Sequence, residues 1–222
     1  MSRFSPARGI LFDLDGTLAD TAADLEQALN RLRRERGLPP LPSGRLRPWV
    51  SLGARAMVQH GIPEITNSTE RENLRIRFLH LYQQAPAERT RLFPGIRPLL
   101  ERLHCPWAIV TNKPGTMARA VTEALGLGHI PLVAGDTLPR AKPHPQPLIH
   151  ACQQLGLHTA NCLMAGDGLR DIQAGRAAGC HTVSVAFGYI PPGDDPHQWQ
   201  AHQHAETVAD LEHICLQWQQ NA

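Results

Sequence analysis

Short runs of consecutive apolar residues, each cut off by polar ones, recur along this chain. They are Ile10–Phe12 ending at Asp13, Trp107–Val110 ending at Thr111, Leu132–Ala134 ending at Gly135-Asp136, and Cys162–Ala165 ending at Gly166-Asp167, with Thr182–Ala186 as a fifth. Runs that are continuous rather than alternating predict strands buried on both faces, as in a parallel sheet. A helix-like stretch follows each run, which predicts βαβ units and an α/β, Rossmann-like parallel-sheet core.

Residues 20–90 carry no strand pattern and read as amphipathic helices inserted after the first strand. The first helix is announced by Thr21-Ala-Ala-Asp24, the pattern of a capping box, and closes near Gly37. Helices over Gly53–His60 and Glu70–Gln84 follow, then a return linker at Leu92–Gly95 and a helix over Ile96–Leu103. Pro-rich patches at 39–48, 139–147 and 191–196 read as loops. The expected organisation is a core of residues 1–19 and 91–222 carrying a helical insert of residues 20–90.

Composition narrows the function classes. The 222 residues are 42% hydrophobic and 19% charged, with a formal net charge of +2, and no long basic block is present. That balance gives no footprint for a nucleic-acid or membrane-surface partner. No apolar run approaches the roughly 18 residues of a membrane span, and the expectation is a cytoplasmic chain. The five cysteines are scattered and never spaced as C-x-x-C, so they read as small buried apolar residues. None of the 12 histidines falls into H-x-x-x-H, so no histidine metal site is expected.

In an open α/β sheet, ligands bind beyond the carboxyl ends of the strands, so the residues after each apolar run share one crevice. Here that crevice collects Asp13, Asp15, Thr111, Asn112, Lys142, Asp167 and Asp171. Asp13 and Asp15, two apart in extended backbone, point to one side. Two close carboxylates repel unless a proton or cation separates them, and an all-oxygen site suits Mg²⁺. Asp167 and Asp171, four apart in the first turn of a helix, share a face and can supply further oxygen ligands. Thr111-Asn112 offers a hydroxyl and an amide to phosphate oxygens, and Lys142 an ammonium on a proline-stiffened backbone. Taken singly, each motif reads equally as a surface turn, a helix cap or a solvated lysine. Their joint occurrence at successive strand ends builds one cation-plus-phosphate site.

The chain resembles the haloacid dehalogenase-like hydrolases, whose four motifs match Asp13-Leu-Asp15-Gly-Thr17, Val110-Thr111-Asn112, Lys142-Pro143, and Gly166-Asp167 through Asp171. The resemblance implies that Asp13 is a nucleophile forming an aspartyl-phosphate and that Asp15 is the general acid and then base. It implies that Thr111, Asn112 and Lys142 hold the phosphoryl group. It also implies that Asp13, the Asp15 carbonyl and Asp167 ligate Mg²⁺ with support from Asp171, and that the helical insert is a small cap. Gly168 departs from the Ser or Thr common at that position. An acid at Asp15 favours phosphate esters over dehalogenation.

The implied substrate is a small-molecule phosphate ester. The chain as a whole is similar to the phosphoglycolate phosphatase group. Ser51–Val58 and Gly188–Trp199 look closer to the N-acetylmuramic acid 6-phosphate phosphatases of cell-wall recycling. Ser51 and Arg55, flanking a helix-opening Gly53, are candidates to meet a substrate carboxylate, against the reading that Arg55 decorates an exposed helix. Tyr189 and Trp199 suit stacking on a sugar ring, against the reading that a Pro-rich loop folds them onto the core. A phosphosugar mutase shares the aspartyl-phosphate and stays open as a rival. A phosphorylation-switch receiver is disfavoured by the insert. The expected assembly is a monomer or homodimer.

Overall fold

The computed structural model describes residues 7–220, so the outermost limits of the expected core, residues 1–6 and 221–222, lie outside the described residues. The chain begins with β1 (Gly9–Phe12), β2 (Ala19–Asp20), α1 (Ala22–Glu35), α2 (Ala54–Gly61), α3 (Ser68–Gln83) and β3 (Arg91–Leu92). It continues with α4 (Ile96–Glu101), β4 (Trp107–Val110), α5 (Gly115–Ala124), β5 (Leu132–Val133), α6 (Gln146–Gln154) and β6 (Cys162–Gly166). It closes with α7 (Leu169–Ala178), β7 (His181–Val185), β8 (Gln203–Ala205) and α8 (Val208–Gln220).

Six strands form one sheet in the order β5-β4-β1-β6-β7-β8, every pair parallel. This is the α/β Rossmann-like core that the apolar runs predicted. Successive side chains of a strand face opposite sides, and β1 shows it. Ile10 and Phe12 pack with Ile96, Val121, Leu211 and Ile214, under α4, α5 and α8. Leu11 packs on the other face with Leu148, Ala151 and Ala174 from α6 and α7. Burial on both sides is why the core strands carry no alternation. The buried Cys152, Cys162, Cys180 and Cys215 take their places in these layers as free thiols, while Cys105 is half-buried.

Helices α1–α3 form a separate apolar cluster around Leu29, Met57, Phe78 and Tyr82, which Met117 and Tyr189 join from the core. The chain leaves and re-enters the core through one antiparallel ribbon, Ala19 pairing with Leu92 and Asp20 with Arg91. Asp24 reinforces the ribbon by accepting from the Arg89 N–H (2.9 Å), the Thr90 N–H (2.8 Å) and the Thr90 hydroxyl (2.7 Å).

That arrangement corrects the expected capping box. Thr21 is the N-cap of α1, but its side chain does not cap the helix and its hydroxyl donates to Asp15 instead (2.5 Å). The Tyr189 hydroxyl replaces it, accepting from the N–H groups of Thr21 (2.7 Å) and Ala22 (3.1 Å) and donating to Asp20 (2.8 Å). A core residue 168 positions away thus satisfies the first turn of the insert.

Other differences are small. Residues Arg47–Leu52, partly within an expected loop, form a 3₁₀ turn. Pro147 sits in the first turn of α6, where a missing N–H costs nothing. Helix α4 stops at Glu101 rather than Leu103. Strand β8 was not foreseen: Gln203-His-Ala205 is a short edge strand, half-exposed and without an apolar run.

Candidate active site

Strand β1 is the pivot of the sheet. The chain moves outward from it through β4 and β5, then returns to its other side at β6, so the crevice opens where the strand order reverses. Phe12 pairs with Ile109 and with Ala165, which sets Asp13 between the ends of β4 and β6. Asp13 is anchored there by its own N–H, which donates to the Ala165 carbonyl at 2.9 Å.

Three carboxylates converge at that point. One oxygen each from Asp13, Asp167 and Asp171 lie within 4.8 Å of one another, all three side chains being buried. Asp167 Oδ2 accepts from the Ser51 hydroxyl (2.5 Å) and from the Tyr189 N–H (2.8 Å). Asp167 Oδ1 is buried with no hydrogen-bond partner. Such an orphaned acceptor is costly unless something positive or protonated meets it. Burial pushes the Asp13 carboxyl up to about 7, with Asp171 and Asp15 adding to the rise and Lys142 opposing it. Burial raises Asp167 well above its ordinary value too, with Asp13 adding and the Ser51 hydroxyl opposing.

Two ammoniums face these acids. Lys142 Nζ donates to Asp13 Oδ1 (2.7 Å) and to the Val110 carbonyl (2.6 Å), and lies 2.6 Å from Asp171 Oδ1. Lys113 Nζ pairs with Asp15 Oδ1 at 2.7 Å and sits 4.8 Å from the centre of the Tyr82 ring in α3. Burial works against both ammoniums, but the adjoining aspartates outweigh it and hold both above the ordinary lysine value. Four carboxylates against two ammoniums leave a formal deficit of two positive charges. The all-oxygen donor set, the unpaired Asp167 Oδ1 and this deficit all fit a hard divalent cation.

Close packing of backbone against these acids explains the local glycines. Gly16 has φ +89°, and a Cβ there would lie 1.9 Å from Asp167 Oδ2. A Cβ on Gly188 would lie 2.4 Å from both the Gly16 carbonyl oxygen and Asp167 Cβ. Gly168, where the resemblance implied a hydroxyl, donates its N–H to Asp171 at 3.0 Å, so the turn is held from the backbone.

The structure therefore brings Asp13, Asp15, Thr111, Lys142, Asp167 and Asp171 into one crevice, with Thr111 and Asn112 on the wall of a cavity of about 300 Å³ above it. Three expectations change. The Asn112 amide is engaged with the Lys142 main chain, donating to its carbonyl (2.8 Å) and accepting from its N–H (3.0 Å), and so positions Lys142. Ser51 reaches the core and donates to Asp167 rather than standing free for a substrate. Arg55 follows Gly53 at the start of α2, is largely solvent-exposed, and lies 3.4 Å from Glu72. Tyr189 and Trp199 are both buried, in line with the packing reading, and the Trp199 indole N–H donates to Asp194 at 2.7 Å.

Sequence reasoning missed Lys113, the partner of Asp15. Its adjacency to Thr111-Asn112 at a strand end was the available signal. It also missed Arg75 of α3 and Arg170 of α7, which line the same cavity.

Comparison with known proteins agrees with this geometry. The family model for haloacid dehalogenase-like hydrolases matches residues 7–179. An N-acetylmuramic acid 6-phosphate phosphatase of Pseudomonas aeruginosa is 43% identical over 199 residues, 87% of this chain and 88% of that protein. A phosphoglycolate phosphatase of Xanthomonas campestris is 42% identical over 209 residues, 92% of this chain and 94% of that protein. A crystal structure of a predicted phosphoglycolate phosphatase from Haemophilus somnus superimposes with a TM-score of 0.81 at 27% identity, covering 95% of this chain and 99% of that one. With motif geometry, family model and relatives in agreement, the chain belongs to the haloacid dehalogenase-like hydrolase family and is a phosphatase within it.

Proposed function

We propose that the chain is a Mg²⁺-dependent phosphomonoesterase that acts on a small metabolite through an aspartyl-phosphate on Asp13. The observation that carries the reading is the convergence of Asp13, Asp167 and Asp171 beside the Lys142 ammonium, with Asp13, Asp171 and Lys142 lining the cavity.

Asp13, Asp167 and Asp171, with the Asp15 carbonyl, would hold the cation, which when bound supplies the positive charge that the four carboxylates lack. Lys142 orients Asp13 through its 2.7 Å contact and presents an ammonium to phosphoryl oxygens, as Thr111 does with its hydroxyl. A carboxylate nucleophile divides ester hydrolysis into two displacements: Asp13 takes the phosphoryl group, then water removes it. Asp15 gives a proton to the departing oxygen and accepts one from the attacking water. The Lys113 ammonium and the Thr21 hydroxyl both donate to Asp15 Oδ1 and so fix its carboxylate. The α1–α3 cap covers the reacting atoms and supplies the walls that read the leaving group.

N-acetylmuramic acid 6-phosphate is the preferred substrate on this reading. Beside its charged floor the cavity has an apolar wall of Val50, Met57, Phe78, Leu79 and Met117. The acetyl and lactyl methyl groups of the amino sugar can cover such a wall, whereas a glycolyl group has no methyl to offer. The second reading, 2-phosphoglycolate, is favoured by the 42% identical Xanthomonas relative.

Phosphate release from both esters, glucose 6-phosphate and an aryl phosphate, with Mg²⁺ and with EDTA, tests the proposal. The expected result is Mg²⁺-dependent hydrolysis with at least about a tenfold preference in kcat/KM for the amino sugar, or about 1.4 kcal/mol of transition-state discrimination. A reversed preference identifies 2-phosphoglycolate. Phosphoryl transfer that needs a sugar bisphosphate and returns no free phosphate would make the enzyme a mutase.

A further inference from the structure

The cations around the cavity fall into two groups. Lys113 and Lys142, on the floor, are already paired with Asp15, Asp13 and Asp171. Arg55 and Arg75 from the cap and Arg170 from the core line the same cavity as a second, outer group that pairs with none of those aspartates among the described residues. Glu72 is the carboxylate that serves this outer group, meeting Arg75 at 2.6 Å and Arg55 at 3.4 Å. Arg170 is half-buried one residue before Asp171 and makes no ion pair or hydrogen bond among the described residues. It also borders the neighbouring cavity that runs toward Trp199.

Three guanidiniums against one carboxylate leave an excess of positive charge on the wall of the cavity. The groups assigned to the transferring phosphate, Lys142 and Thr111, leave these three guanidiniums without a role. A half-buried guanidinium without a partner also forgoes the charge-assisted bonds that an anion would give it. We infer that Arg75 and Arg170 read a carboxylate carried on the leaving group of the substrate, making them specificity-determining residues on the two sides of the cavity. The inference rests on the phosphomonoesterase reading. Arg75 is better held than Arg55: Glu72 accepts from its Nε (2.9 Å) and from its terminal nitrogen (2.6 Å), and its side chain is 27% exposed against 82% for Arg55. Glu72 fixes the Arg75 fork, and Arg170 supplies the uncompensated charge.

Two substrates isolate the effect. N-acetylmuramic acid 6-phosphate and N-acetylglucosamine 6-phosphate differ only in the lactyl ether that bears the carboxylate. The ratio of their kcat/KM values cancels any loss of folded enzyme, which a merely structural role would produce. The wild type is expected to favour the carboxylate-bearing ester at least about tenfold. Arg75→Met combined with Arg170→Met should bring the ratio to within twofold of unity, mainly through KM, each single variant should fall between, and Arg75→Lys should keep part of the preference. A wild-type ratio near unity, or a double variant that keeps the wild-type ratio, overturns the inference while leaving the phosphatase reading intact. A preference for glucose 1,6-bisphosphate over glucose 6-phosphate that exceeds the carboxylate preference also overturns it, by assigning the arginines to a second phosphate. If the wild type hydrolyses neither these esters nor 2-phosphoglycolate, both readings fall.

Discussion

The Lys142 ammonium lies 2.7 Å from Asp13 and 2.6 Å from Asp171, so one buried cation bridges two buried acids, one just after β1 and the other in the first turn of α7. Removing a single partner from such a cluster strands the others. Lys142→Met is expected to cost about 3–5 kcal/mol of stability and to abolish phosphate release. Part of the stability should return on adding Mg²⁺, which supplies positive charge to the same carboxylates. Denaturant titration with and without Mg²⁺ measures both effects, and an undiminished midpoint for the variant would contradict the bridging role.

Gly16 and Asp167 are in contact beside the carboxylate cluster. With φ at +89° and a would-be Cβ 1.9 Å from Asp167 Oδ2, Gly16→Ala strains the backbone and displaces the carboxylate together. The expected outcome is a loss of about 1–3 kcal/mol and a weakened rise in Tm on adding Mg²⁺. Thermal melts across a Mg²⁺ titration read both. A variant with the wild-type metal response would remove Asp167 from the ligand set.

Tyr189 joins the cap to the core through one hydroxyl. It accepts from the Thr21 and Ala22 N–H groups, which open α1, and donates to Asp20. Tyr189→Phe keeps the ring and leaves those donors buried, at a cost of about 1–3 kcal/mol. Urea titration should show a lower midpoint with an unchanged slope. An unchanged midpoint would mean that another group caps the helix.

His181, on β7, gives a pH signature away from the reaction centre. Partial burial holds its imidazole below the usual histidine value, with His202 and Arg8 adding to the fall and Gln203 opposing it. Its ring stacks on His202 and Trp218. A depressed pKa means that the unfolded chain binds more protons than the folded one below about pH 6.5, so stability is lost as pH falls through that value. His181→Gln should flatten this part of the stability profile, as followed by Tm between about pH 7 and pH 5.

The parts of this molecule legible in the sequence are those in which local pattern and tertiary role coincide. Ile10–Phe12 and Cys162–Ala165 read as strands because both faces are buried, and Asp13 and Asp167 were placed by following those strands to their ends. Gln203-His-Ala205 was illegible because an edge strand needs little apolar content. Thr21 looked like a capping residue because nothing local reveals that Tyr189 takes that place from 168 positions away. Lys113 went unnoticed because its pairing with Asp15 spans 98 positions. Arg75 and Arg170, far apart in the chain, line one cavity only through the fold.

Comparing Mg²⁺-dependent phosphate release by the wild type and by Asp13→Asn, which keeps the shape of the side chain and removes its nucleophilic charge, tests the account most directly. The account predicts a loss of at least about a thousandfold in kcat in a variant that still folds and melts cooperatively. An Asp13→Asn enzyme that retains phosphate release within about tenfold of wild type would contradict Asp13 as the residue that takes the phosphoryl group.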